Sequence, residues 1–366
     1  MEAASVNGAR TWRFGVVGTG AMSATMMDCL RAERRVDVVA VASADAARAQ
    51  AFAQRFQVAH AHAGLDALLA RDDVDAVYIA TATRDHAAHA IAALEAGKAV
   101  LCEKPFAIGV EQGQRVLEAA QRTGRLFMEA QWTTALPAYR EVLRLVRERS
   151  LGEPVLLHSE FGIAHDPAAH PRLFEGPGAG VLLDFGVYPI VLALQAFGPV
   201  RSVDAAVRCN AAGVDVHATL QLTHELGGHS QLAASLVATL PNRSSLSCAG
   251  GHVVLDSPVM GAETLGVRRV APAGPVHAAA GGARQSLVAA LRRQRWLRRL
   301  KASLGGGASE HPFGANRYAP QLSHFVALLD AGALESDLMP HATSLAVLRV
   351  VEAARRCSPT AVEVTP

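Results

Sequence analysis

Residues 14–23 read Phe14-Gly15-Val16-Val17-Gly18-Thr19-Gly20-Ala21-Met22-Ser23. An apolar run of strand type passes straight into two glycines one residue apart, and a helical pattern follows over 22–31. In a G-x-G-x-x-G turn the first glycine permits the tight bend and the second lets the backbone approach a pyrophosphate. The helix start then supplies unpaired N–H groups and a partial positive charge. Here the third position is Ser23, small enough for close helix–strand packing but a departure from glycine. Glycine turns also follow strands for purely structural reasons, so the motif gains weight only from its place on the first strand of a series. Gly18, Gly20, Ala21 and Met22 are therefore expected to hold a nucleotide.

The series extends outward from that turn. Apolar runs at 13–17, 36–42, 76–80, 99–102 and 126–128 read as strands, and patterns at 22–31, 46–56, 85–96 and 111–123 read as helices. Strands alternating with helices imply right-handed crossovers and a parallel sheet covered on both faces. Gly97 and Gly124 stand just past their helices, where a left-handed cap favours glycine. From residue 155 the pattern changes to period-two segments at 155–161, 202–208, 214–222, 230–239, 244–248 and 252–256, joined by short Gly/Pro turns. Helical patterns at 138–148, 187–196, 321–331 and 343–355 accompany them. The expected architecture is an α/β Rossmann dinucleotide-binding domain over 11–130 and an α+β domain with a large, mostly antiparallel sheet over 131–366.

Cofactor choice is expected at the end of the second strand, in Val41-Ala42-Ser43-Ala44-Asp45. An acidic residue there would bind the ribose 2′-hydroxyl, whereas a nearby arginine would accommodate a 2′-phosphate. Ser43 carries no charge to repel a phosphate, Arg48 lies one turn on, and Asp45 reads as a helix cap. The balance leans to NADP, with NAD kept open.

Composition sets the outer bounds. Of 366 residues 50% are apolar and 19% charged, enough core-forming material to argue against disorder. The net charge of +2 argues against a dedicated nucleic-acid binder. Seven basic and no acidic residues fall between Arg284 and Lys301, which leaves −5 for the rest of the chain. That run sits in an expected insertion at about 271–309, its centre patterned as a basic amphipathic helix between glycine-rich hinges. A lid, a subunit contact, an anionic-membrane contact and a mobile solvated insertion all fit it. Cys29, Cys102, Cys209, Cys248 and Cys357 are odd in number and widely spaced, so reduced thiols are expected rather than disulfides or zinc. No signal peptide or membrane span is read, which gives a cytoplasmic expectation. His165, His170 and His341 form no helical ligand pair, so no metal is assigned.

Beyond the turn, residues 99–105 read Ala-Val-Leu-Cys-Glu103-Lys104-Pro105, and an apolar strand ending in Glu-Lys-Pro resembles the Gfo/Idh/MocA oxidoreductase family. Thr81-Ala82-Thr83-Arg84-Asp85-His86 is similar to that family's T-P-x-x-x-H segment with the proline lost. Residues 128–133, followed by Pro137 and Tyr139, resemble the opening of its second domain. The stretch 178–189 is similar to G-G-G-x-L-x-D-x-G-x-Y, and 334–341 to a late E-S-x-x-M-P segment. The branch most resembled is the dihydrodiol dehydrogenase and NADP-dependent D-xylose dehydrogenase group. The resemblance implies hydride exchange with a nicotinamide cofactor, alcohol–carbonyl interconversion on a sugar, polyol or diol, and a homo-oligomer joined through the C-terminal sheet. It also implies that Thr81, His86, Glu103 and Lys104 face the cofactor and that Trp132, Asp184 and Tyr188 face the substrate. Thr134 and Gln131 stand where similar enzymes often carry an arginine and an aromatic, which puts the family's substrate preferences in doubt here.

The residues have their own chemistry beside the resemblance. Only Lys98, Lys104 and Lys301 are lysines against 32 arginines, and an ammonium can shift its pKa on burial where a guanidinium cannot. Lys98 follows a helix and is expected there on dipole grounds. Lys104 follows a buried strand at the carboxyl edge of the sheet, where it would hydrogen-bond a substrate oxygen and favour the alkoxide. Tyr188 is the expected acid/base, its phenol lowered by the ammonium and by an oxidised nicotinamide. Asp184, four residues earlier, would orient substrate or pair with Lys104. Taken without the resemblance, a core tyrosine and a capping aspartate account for both. Two other functions stay open: a catalytically silent nucleotide sensor, and a hydrolase or eliminase that retains NAD for transient oxidation.

Overall fold

The computed structural model describes residues 10–270 and 307–357; the expected basic helix at 286–304 lies outside them. Six parallel strands form the first sheet: β1 (Trp12–Val17), β2 (Val36–Ser43), β3 (His60–Ala63), β4 (Ala76–Ile79), β5 (Ala99–Glu103) and β6 (Phe127–Ala130), in the order β3-β2-β1-β4-β5-β6. The order reverses between β1 and β4, which places a crevice at their carboxyl ends. Helices α1 (Ala21–Ala32), α2 (Ala46–Phe56), α3 (Leu65–Leu69), α4 (His86–Glu95) and α5 (Val110–Thr123) make the crossovers. Adjacent residues of one strand enter opposite cores. Phe14, Val16 and Tyr78 pack on one side with Met26 and Phe52, and Val17, Val77 and Ile79 on the other with Leu94 and Val116. Burial on both faces explains why these strands read as unbroken apolar runs. Gly97 and Gly124 hold φ of +77° and +61°, as their cap positions require.

The strand β3 and the short helix α3 have no counterpart in the expected elements. The His-Ala-His-Ala sequence of β3 is half exposed at the sheet edge and lacks branched residues, so neither periodicity nor composition marks it.

The second sheet has eight strands: β7 (Pro154–Gly162), β8 (Val200–Cys209), β9 (Asp215–His224), β10 (His229–Ser235), β11 (Ser244–Cys248), β12 (Gly251–Leu255), β13 (Thr264–Arg269) and β14 (Gly307–Glu310). Their order is β14-β13-β12-β11-β7-β10-β9-β8, antiparallel throughout except for the pair β7–β10. β14 corrects the expected insertion: residues 307–309 are an edge strand paired with β13, not hinge or insert. Helices α6 (Pro137–Arg147), α7 (Pro171–Phe174), α8 (Val187–Phe197), α9 (Ala319–Ala331) and α10 (His341–Arg356) accompany this sheet. The sequence of α8 is apolar nearly all round, and it is buried nearly all round. Helix α9 returns to the first sheet, where Phe325 meets Phe14 edge-on at 6.0 Å between ring centroids. No described helix is long and apolar enough to cross a membrane.

Candidate active site

The glycine turn is built for close approach. Gly18 ends β1 with φ +106°, and a Cβ there would lie 2.5 Å from the Ala80 carbonyl oxygen of the neighbouring strand. Gly20 caps α1 in an extended conformation without any side-chain cap, and a Cβ on it would meet nothing within 4 Å. The unpaired N–H groups of a twelve-residue helix thus face open space beside bare backbone, which is the cradle a pyrophosphate needs. Ala21 and Met22 form the first turn of that helix, while Ser23 is fully buried where helix meets strand.

At the end of β2, Ser43 Oγ lies 3.4 Å from Thr19 Oγ1 and accepts the Asp45 N–H at 3.3 Å. Asp45 caps α2, its carboxylate accepting the Arg48 N–H at 3.0 Å. The exposed Arg48 guanidinium rests 3.4 Å from the same carboxylate.

Lys104 leaves the carboxyl end of β5 with its side chain 12% exposed. Its Nζ donates to Asp184 Oδ1 at 2.9 Å and to the Asp184 carbonyl oxygen at 2.8 Å. Asp184 sits in a π-helical turn, Leu182–Gly186, that leads directly into α8. Tyr188 follows on the first turn of α8, and its ring centroid lies 4.9 Å from Lys104 Nζ. Trp132, on the 3₁₀ turn after β6, donates its indole N–H to the Tyr188 hydroxyl at 3.3 Å. Tyr318 packs on the other side of the indole at 5.1 Å. Residues 104, 132, 184 and 188, from both sheets' elements, thus converge beside the crevice.

Electrostatics differ from expectation at one residue. Burial alone would pull the Lys104 ammonium down, but Asp184, then Tyr188 and Glu103, outweigh it and hold its pKa above the ordinary lysine range. Tyr188 was expected to fall; burial instead raises it, and the pull of the Lys104 ammonium only offsets part of that. The phenol is therefore protonated at neutral pH in the protein alone.

The other sequence-selected residues make contacts within the protein around this cluster. The buried ring of His86, the residue expected at the nicotinamide, contacts backbone at both nitrogens: Nδ1 lies 2.9 Å from the Pro105 carbonyl oxygen and Nε2 3.2 Å from that of Thr81. Thr81 Oγ1 pairs with His89 Nδ1 at 3.0 Å. Glu103 is buried and accepts the Tyr78 hydroxyl at 2.7 Å, bracing the strand beneath Lys104. Thr134 and Gln131 are also buried, Thr134 Oγ1 donating to the Gln131 carbonyl at 2.9 Å. Sequence reading passed over Tyr318, Asp215 and Arg355, none of which belongs to a recognisable motif, and gave no role to Glu129 within the segment 128–133. Among the described residues no cluster of three or more His, Cys, Asp or Glu side chains is placed to hold a metal ion. A groove of about 670 Å³ lies away from Lys104, on the outer face of the second sheet between His158, Asp204, Gln221, Gln231 and Arg243.

A six-stranded parallel sheet with a bare glycine cradle at its switch point, facing a buried lysine and tyrosine, defines an NAD(P)-dependent oxidoreductase. Residues 12–131 match the NAD-binding Rossmann fold of the oxidoreductase family Gfo/Idh/MocA, and residues 139–254 match that family's C-terminal domain. The chain belongs to the Gfo/Idh/MocA family. It is 32% identical over 252 residues to the trans-1,2-dihydrobenzene-1,2-diol dehydrogenase of Bos taurus, covering 67% of this chain and 74% of that one. KijD10, a 3-ketoreductase from Actinomadura kijaniata solved with NADP and TDP-benzene, superposes with a TM-score of 0.76 at 26% identity, over 95% of this chain and 98% of that one. The aldose-aldose oxidoreductase of Caulobacter crescentus shares the fold, with a TM-score of 0.77 at 21% identity over 95% and 97% of the two chains.

Proposed function

We propose that this enzyme interconverts an alcohol and a carbonyl on a sugar-like or cyclic diol substrate, with Lys104 and Tyr188 managing the proton of the reacting oxygen. The observation that carries this is the Lys104 ammonium held at 2.8 and 2.9 Å by the two Asp184 oxygens, with Tyr188 beside it. The names of the diol dehydrogenase and ketoreductase relatives support the substrate class.

Gly18, Gly20, Ala21 and Met22 would hold the cofactor pyrophosphate, and the open end of β2 at Ser43 would take the adenosine ribose. When bound, the nicotinamide supplies hydride exchange with the substrate carbon. The protein's own part is the proton. An ammonium has three donors; Asp184 takes two, which leaves one for the substrate oxygen. That bond strengthens as the oxygen gains negative charge, so it favours the transition state over the ground state. Tyr188, protonated at neutral pH, gives its proton to the oxygen in reduction and takes it back in oxidation. Its oxygen accepts from Trp132, which steadies the phenolate left behind. Asp184 keeps Lys104 charged and aimed, and Trp132 walls the substrate side.

Ser43 and Arg48 favour NADP over NAD, because no carboxylate faces the 2′-position once Asp45 is committed to its cap. The outer face of the eight-stranded sheet is the surface by which two copies would pair. Nicotinamide absorbance with a panel of aldoses, cyclic polyols and aromatic trans-diols, run in both directions with both cofactors, tests the activity. Cofactor that co-purifies yet is never turned over by any of them would replace this reading with transient internal oxidation.

A further inference from the structure

Asp215 opens β9 on the far side of the π-turn from Lys104, with its side chain 5% exposed. Both of its carboxylate oxygens are committed. Oδ2 accepts the Leu182 N–H at 2.7 Å, the first N–H of the π-turn. Oδ1 accepts Arg355 Nε at 3.0 Å and Nη2 at 2.7 Å, and that same Nη2 donates to the Ala179 carbonyl at 3.2 Å. Gly180 lies between them with φ +115°, and a Cβ there would fall 2.3 Å from Asp215 Oδ1. Only glycine lets the carboxylate come so close to the backbone it holds. The Gly180 carbonyl in turn accepts the Asp184 N–H at 3.1 Å.

These contacts form one connected path. Arg355 on α10 fixes Asp215, Asp215 fixes residues 179–182, and Gly180 fixes the backbone of Asp184. The Asp184 carbonyl and carboxylate then grip Lys104. A turn wound in the π form is rare and persists where its surroundings impose it. A buried ion pair is by itself a poor source of stability, since desolvation offsets its attraction. What this pair does supply is position.

We propose that Asp215, clamped by Arg355, is a positioning residue: it sets where the π-turn begins, and so places the Asp184 oxygens against Lys104 and Tyr188 beside them. Its activity arm rests on the proposed role of Lys104 and Tyr188; its structural arm does not.

Three lysines in the whole chain make a direct readout practical. Full-length protein carrying 13Cε-lysine gives three resonances, with that of Lys104 identified by its loss in Lys104→Arg. Lys104 faces Asp184 and Tyr188 from the π-turn and α8, Glu103 from its own strand, His86 from α4, Glu129 from β6 and Tyr318 from the start of α9. In the wild type its resonance is expected to stay at the ammonium position to the alkaline limit of the fold. In Asp215→Asn and Arg355→Ala it is expected to titrate within that range while the Lys98 resonance is the same as in the wild-type protein, and Arg355→Lys is expected to restore part of the wild-type behaviour. Arg355 is one-third exposed, so its variants keep the test alive if Asp215→Asn does not fold. With substrate, kcat is expected to fall about tenfold to a hundredfold while cofactor affinity is unchanged, the signature of a misplaced group. A Lys104 resonance that behaves as wild type in folded variants overturns the proposal, as does loss of cofactor affinity in step with kcat. A shifted resonance in a chain that turns over no substrate would sustain the positioning role and remove the dehydrogenase reading instead.

Discussion

Replacing Lys104 with Met removes one ammonium and keeps most of the side-chain volume. The consequences separate cleanly in the structure. Of the three donors lost, two serve Asp184 and one is left for the reacting oxygen. Removing a single preorganised donor from a site of developing negative charge costs about 10²- to 10³-fold in kcat. The fold is affected less: Asp184 loses an ionic hydrogen-bond partner, about 1.5–3 kcal/mol, but its side chain is 31% exposed and water can replace the ammonium in part. The Tyr188 phenol, no longer drawn down by the cation, rises further, which slows oxidation more than reduction. Initial rates in both directions by nicotinamide absorbance give kcat, and quenching of the intrinsic tryptophan fluorescence gives cofactor affinity. The expected result is intact cofactor binding with kcat down by the stated factor and a larger loss in oxidation. A Lys104→Met enzyme turning over at the wild-type rate would refute the assignment of proton chemistry to this cluster.

Three further outcomes follow from the same geometry. Tyr188→Phe should lower kcat about 10²- to 10⁴-fold while the fold survives, the melting temperature falling modestly because the buried Trp132 indole N–H loses its acceptor. Gly18→Ala places a methyl 2.5 Å from the Ala80 carbonyl oxygen at a φ that alanine rarely adopts, so cofactor titration should show binding weakened together with lower thermal stability. Glu129 is buried with Oε1 accepting the Phe106 N–H at 3.2 Å and Oε2 without a partner among the described residues, and burial pushes its pKa from 4.5 to about 7. A carboxyl raised in the fold binds its proton more tightly there than in the unfolded chain. Its favourable contribution is therefore complete below about 4.5 and lost as pH rises through about 7. Denaturant unfolding across that window should show Glu129→Gln gaining stability relative to wild type as pH rises, and parallel curves would count against it.

The sheet containing β1 was legible because its strands are buried on both faces and leave continuous apolar runs, and because Gly18, Gly97 and Gly124 stand where φ must be positive. β3 was not legible, because an edge strand of alternating His and Ala needs no apolar face. β14 was masked by its Gly-Ala-Ser sequence, which reads as linker until the pairing with β13 is seen. Lys104 could be singled out by its rarity among arginines and its place after a strand. The direction of the Tyr188 shift could not, since it depends on how completely α8 is enclosed. Asp215 and Arg355 are separated by 140 residues and belong to no local pattern; only tertiary structure reveals that both serve the turn at 179–182.

The Lys104–Asp184 contact spans 80 residues and joins the end of one sheet to the helix packed on the other. It thus fastens the end of the parallel sheet to the turn that leads into α8. On the proposed mechanism, the pair of side chains that orients the reacting oxygen also ties the two halves of the molecule together.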